Sequence, residues 1–124
     1  MHRFSPEVRI LDPCNRDAIS LLPHIVLYHG TVDNFIPPNA NKGFADALQK
    51  VGARTELILY VGQTHTDLFL HDPMRGGKDD LFDHIVAVIH SNDKEALAKD
   101  AMAPSRRRLA PEFLLKLAHW ANPF

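Results

Sequence analysis

Cysteine is almost missing from this chain: Cys14 is the only one. One thiol closes no internal disulfide and builds no CxxC metal site, so stability has to come from burial and hydrogen bonding. Long apolar runs are missing as well. None approaches the roughly 18–20 residues that a membrane-spanning helix requires, and the opening Met1–Arg9 is mixed and polar, without the apolar core of a secretory signal. An excess of one charge is missing: 14 Lys and Arg against 15 Asp and Glu give a formal net charge of −1. That balance supplies no electrostatic drive toward a phosphate backbone, so no nucleic-acid partner is expected. Internal repeats and low-complexity stretches are absent too.

What is present is ordinary for a folded domain. Hydrophobic residues make up 45% and charged residues 23% of the 124, which argues against general disorder. The length suits one domain and is too short for two. Arg16–Leu22 is a short helical candidate running into Pro23. His24–Tyr28 follows as an apolar run bounded by Pro23 and Gly30, the pattern of a strand buried on both faces. Asn39–Val51 reads as a helix, with Asn39 as the expected cap and Gly52 just past its end. Its apolar residues Phe44, Ala47, Leu48 and Val51 share one face. Arg54–Tyr60 is a second strand. Strand, helix and strand at this spacing form a βαβ unit with two parallel neighbours. Helices are expected again over Asp79–His90, in the polar Asn92–Ala101, and over Pro111–Ala121, where Phe113, Leu114, Leu117 and Trp120 make an apolar stripe. The expected fold class is therefore α/β, with a parallel sheet of which two strands are present. Two strands make an incomplete sheet, since parallel sheets are stable when both faces are covered. The strand at His24–Tyr28 is expected to expose an edge, open to a neighbour or a partner.

The chemistry gathers at the carboxyl ends of these strands, where open α/β sheets carry their reactive groups. His24–Pro37 reads HIVLYHGTVDNFIP and brings Asp33 just past the first strand; Val61–Leu70 reads VGQTHTDLFL and brings His65 just past the second. A lone Asp in a glycine turn is ordinarily a turn former. The two segments together are different, because they deliver an acid and a base on adjacent strand ends in the order used by Ser…Asp…His hydrolases. A serine hydroxyl needs an imidazole to take its proton, and the imidazole needs a carboxylate to hold its tautomer. The nucleophile belongs in a G-x-S-x-G elbow, and none of Ser5, Ser20, Ser91 and Ser105 has the flanking glycines. His29–Gly30 continues into Thr31 and is expected to be a strand-end turn rather than an oxyanion segment.

Four runs carry a resemblance to a family: FSPE at Phe4–Glu7, LYHGT at Leu27–Thr31, THTDLFLHDPMRGG at Thr64–Gly77 and RRRLAPEFLLKLAHWANPF at Arg106–Phe124. The chain resembles the end of plant isoprenylcysteine α-carbonyl methylesterases, a branch of the α/β-hydrolase superfamily. The resemblance implies that residues 1–124 are the C-terminal portion of a single α/β-hydrolase domain, holding its last two parallel strands and flanking helices. It makes Asp33 the triad acid and His65 the base. It implies hydrolysis of the methyl ester on a prenylated cysteine at endoplasmic reticulum and Golgi membranes, with membrane association through segments outside this chain. With no serine in place, the isolated chain is expected to be inactive. Two other readings stand beside this one: a truncated product that acts as an interaction fragment, and an esterase of the same fold for another small ester.

The remaining constellations draw plainer expectations. Asp67 is expected to support the His65 loop. His65, Asp67 and His71 match no zinc spacing and read as a loop, so no metal and no cofactor is expected. Met74–Gly77 is expected to be a flexible loop, and its glycines lack the GK[ST] of a phosphate cradle. Arg106–Arg108 before an amphipathic helix would suit a membrane surface, but the narrow apolar stripe favours a helix packed on the sheet with its arginines in solvent.

Overall fold

Two short apolar segments pair to make the sheet. In the computed structural model, which describes residues 4–121, β1 (Ile25–Gly30) and β2 (Thr55–Tyr60) run parallel, Ile25 opposite Thr55 and Gly30 opposite Tyr60. The connection is α3 (Pro38–Lys50), which packs on both strands. This is the expected βαβ unit, and the architecture is α/β with a two-stranded parallel sheet and flanking helices. β1 extends two residues beyond the expected strand: His29 and Gly30 stay in the ladder, and Thr31 N–H still donates to Tyr60 C=O at 2.9 Å. HG is thus the end of a strand, not a turn.

α3 also begins differently from expectation. Pro37 occupies the cap position and Pro38 the first turn, so Asn39 lies inside the helix and caps nothing. Proline costs little there because the first amides of a helix have no internal partner. The helix stops as expected, with Gly52 at φ 84° and its N–H donating to Gln49 C=O at 3.0 Å. Before the sheet come α1 (Pro6–Leu11) and α2 (Arg16–Ser20); α1 packs on α3. Ile19, Ala45, Ala47, Leu48 and Tyr60 form the buried apolar core of this first unit, which runs through His65. An open apolar cleft of about 370 Å³ is lined by Ile10, Ile19, Leu22, Ile25 and Phe44.

The second unit starts at Thr66. Its opening is helical where a loop was expected: a π-helical turn over Asp67–His71, closed by Asp72 N–H on Asp67 C=O, continues into α4 (Asp72–Arg75). α5 (Asp80–Ile89) and α6 (Lys94–Ala101) carry true caps, Asp79 accepting from Phe82 N–H at 3.0 Å and Asp93 from Ala96 N–H at 2.9 Å. α7 (Glu112–Ala121) closes the described chain.

Met74–Gly77 is clamped rather than loose. Gly77 N–H donates to Arg106 C=O at 2.9 Å, and the amides of Leu109 and Ala110 donate to Met74 C=O. Gly76 sits at φ 71°, and a Cβ there would come within 2.8 Å of the 106–108 backbone. Of the three arginines expected in solvent, Arg107 and Arg108 are exposed and Arg106 is only partly so. Arg106 pairs with Asp79 at 3.1 Å and Asp83 at 3.0 Å with its guanidinium 3.6 Å over the Phe82 ring, while Arg108 donates to Arg75 C=O.

The apolar stripes of α5 and α7 depart from expectation. Leu81 and Leu115 are buried, but Phe82, Ile85 and Ile89 on α5 and Phe113, Leu114, Leu117 and Trp120 on α7 are exposed, Trp120 by 82%. Periodicity gave the helices correctly and gave no account of what covers them. The fully buried Leu48 carries the first unit. Leu48→Ala is expected to cost about 2–5 kcal/mol in urea denaturation, whereas Val61→Ala, at a residue 87% exposed, should stay within about 0.5 kcal/mol.

Candidate active site

The site begins with a glycine that permits contact. A Cβ on Gly30 would lie 2.3 Å from Gln63 O and 3.2 Å from Thr64 O, closer than any side chain tolerates. Only a residue without one lets the backbone after β2 lie against the end of β1. The two loops are then stitched: Val32 N–H donates to Gln63 C=O at 3.0 Å, and Gly62 N–H donates to the Thr31 hydroxyl oxygen at 2.9 Å. Asp33 and His65 project from this stitched pair.

Asp33 is almost wholly buried, its side chain 2% exposed, and every oxygen has work. Oδ1 accepts from the amides of Phe35 at 2.8 Å and Ile36 at 3.0 Å, an Asx turn that fixes the carboxylate plane. Oδ2 accepts from His65 Nδ1–H at 3.0 Å. Burial alone would push the Asp33 carboxyl upward, but the Ile36 amide, His65 and the Phe35 amide outweigh it and hold it below its ordinary value. An ionised carboxylate only accepts, so the proton of a neutral His65 ring resides on Nδ1 and the lone pair on Nε2. His65 itself is 48% exposed, with the Phe35 ring edge-on at 6.1 Å. A buried acid thus orients a half-exposed base, which is the chemistry needed to take a proton from a hydroxyl.

Behind the acid stands a residue that sequence reasoning passed over. His29 is 5% exposed; its Nε2–H donates to Ile36 C=O at 2.9 Å, and its Nδ1 accepts from Asn41 Nδ2 at 2.7 Å. Ile36 C=O can only accept, which fixes the tautomer. The ring ties the far end of the Asp33 loop to β1 and α3, 3.9 Å from Asp33 Oδ2. The sequence carries no signal for it: the run IVLY ahead of it is continuously apolar, and His29 lies past the expected end of the strand at Tyr28.

Asp67, expected to support the His65 loop, lies in the π-helical turn. Its Oδ1 accepts from His71 Nδ1–H at 2.9 Å, and His119 Nδ1 stands 3.6 Å from the same oxygen. Asp72, next along, has its carboxyl raised by burial, with the Arg75 charge opposing and Asp67 and Asp79 adding to the rise.

An ionised carboxylate aligned with an imidazole at the ends of adjacent parallel strands, in an α/β frame, is an arrangement fit for hydrolase chemistry. Comparison with known proteins makes the kinship specific: the chain is similar over nearly its whole length to isoprenylcysteine alpha-carbonyl methylesterases. It is 61% identical over 122 residues, 98% of this chain, to a probable member from Arabidopsis thaliana. It is 51% identical over 124 residues, all of this chain, to a probable member from Oryza sativa subsp. japonica. The chain spans 29% of the length of each of these curated relatives. Among solved structures, a thermophilic esterase of Thermogutta terrifontis with propionate bound aligns at 28% identity and TM-score 0.45, over 57% of this chain and 25% of the other. No family model matches the chain.

Two outcomes test this geometry in the protein at its natural length. Gly30→Ala should destabilise by about 1–3 kcal/mol through overpacking against backbone, and more than Gly62→Ala, where a Cβ meets only open space and the penalty is the positive φ. The stabilising share of Asp33 is fully present above its unfolded value near pH ~3.9 and is lost as pH falls through its lower folded value. The stability gap between native and Asp33→Asn proteins, read from urea midpoints, should therefore hold steady above about pH 5 and narrow below about pH 4.

Proposed function

We propose that residues 1–124 are the C-terminal portion of a single α/β-hydrolase domain, and that the whole enzyme hydrolyses the methyl ester of a prenylated C-terminal cysteine. The observation that carries this is the 3.0 Å bond from His65 Nδ1 to a buried, ionised Asp33, in a chain similar to named methylesterases. The exposed stripes of α5 and α7 support the first half of the reading, since they are apolar faces suited to cover by the remainder of a domain.

In this reading a serine from sequence outside these residues attacks the ester carbonyl. His65 Nε2 takes the hydroxyl proton as the new C–O bond forms, and Asp33 stabilises the resulting imidazolium. The proton returns to the departing methoxide, which leaves as methanol. Water then repeats the sequence on the acyl-enzyme, using the same base, and frees the prenylcysteine carboxylate and the serine. Asp67, two residues on, steadies the turn that follows His65. A prenyl chain partitions into lipid, so the substrate is met at a membrane, and by family resemblance that membrane is endoplasmic reticulum or Golgi. No helix among the described residues is long and apolar enough to cross a membrane, so attachment falls to segments outside this chain.

The test is turnover of a farnesylated cysteine methyl ester by the protein at its natural length. His65→Ala should lower kcat by about 10⁶ and Asp33→Asn by about 10⁴, the losses seen when a triad base or its orienting acid is removed. The 124-residue chain alone should release no methanol. Activity that survives both substitutions would overturn the assignment, and activity on simple alkyl esters only would move the substrate to another small ester.

A further inference from the structure

We propose that Asp67, His71 and His119 form a binding site for a divalent zinc ion, with one carboxylate and two imidazoles as ligands. All three belong to the unit that begins at Thr66. One oxygen of Asp67 and one ring nitrogen from each histidine lie within 4.8 Å of one another. A tetrahedral centre with bonds near 2.0 Å holds its donors ~3.3 Å apart. The separations from Asp67 Oδ1, 2.9 Å to His71 Nδ1 and 3.6 Å to His119 Nδ1, straddle that spacing.

The scaffold is already in place. Asp67 and His71 are the first and last residues of the π-helical turn, and His119 comes from α7. The His71 and His119 rings meet edge to face, 6.0 Å between centroids and 65° between planes, so both nitrogens can face one point without the rings stacking. Exposure is graded: the side chains of His71, Asp67 and His119 are 3%, 13% and 50% exposed. Two ligands are held by burial, and the third closes the site from the solvent side. Imidazole and carboxylate donors suit zinc, and three protein ligands leave a fourth position for water. On binding, the neutral His71 ring changes tautomer: the proton that Nδ1 now donates to Asp67 is exchanged for one on Nε2, and the Nδ1 lone pair turns to the metal. The ion would fasten α7 to the turn that follows His65 in sequence.

Sequence spacing gave no hint of this site, because its third ligand stands far along the chain from the other two. The alternative is a carboxylate that simply accepts a hydrogen bond from His71 and lies near His119, with no ion. Zinc titration separates the two, and it reads metal uptake rather than ester hydrolysis, so its result is independent of the function proposed above. The protein at its natural length, stripped by chelator, should take up one zinc per chain with micromolar or tighter affinity in calorimetry, and its Tm should rise by roughly 4 °C or more at saturating zinc. His119→Ala, at a half-exposed position that spares the fold, should weaken binding at least about tenfold and abolish the Tm rise. His119→Cys should restore binding and, loaded with cobalt, show a near-ultraviolet thiolate-to-cobalt charge-transfer band. No uptake up to roughly millimolar zinc, uptake that His119→Ala leaves unchanged, or a His119→Cys protein without the cobalt band would each overturn the proposal.

Discussion

Everything at the candidate site depends on how closely two stretches of backbone can approach at Gly30. Parallel pairing brings the ends of β1 and β2 level, but level strand ends are only neighbours. The absent side chain at residue 30 lets the 63–64 backbone close against β1, and the hydrogen bonds from Val32 and Gly62 then lock the loops. Asp33 and His65 meet because their backbones have already been joined. The side-chain hydrogen bond comes last in this sequence of causes, and it spends little conformational entropy because both residues are already placed.

Two carboxylate–imidazole pairs on the chain show how environment divides the same chemistry into different tasks. In Asp33–His65 the acid is buried and the base is half exposed, so the imidazole is oriented from within and presented outward. In Asp67–His71 both members are nearly closed off, so the pair faces a third residue, His119, instead of an incoming substrate. The distances, 3.0 and 2.9 Å, barely differ. Exposure, and not bond length, is what separates the two pairs, and it underlies the different roles proposed for them.

What was legible in the sequence was local. Apolar runs bounded by Pro23, Gly30 and Gly52 gave the strands and α3, and strand-end position singled out Asp33 and His65. What was not legible depended on contacts far apart in the chain. His29 earns its role from Asn41 and Ile36, and Gly30 from Gln63. Arg106 looked like a surface charge until Asp79, Asp83 and Phe82 surrounded it. The stripes of α5 and α7 show the converse limit. A 3.6-residue period reports that a face is apolar, and whether that face is covered depends on residues elsewhere.

The π-helical turn at Asp67–His71 makes this part of the chain sensitive to length rather than to composition. A π turn holds one residue more than an α turn, and Asp72 N–H reaches back five residues to Asp67. Losing one residue between Asp67 and His71 would return the turn to ordinary winding and shorten their separation from four residues to three, so the 2.9 Å bond between these side chains could not form as it does now. Among descendants of a common ancestor, this stretch should therefore accumulate replacements freely at its outward positions while insertions and deletions are weeded out.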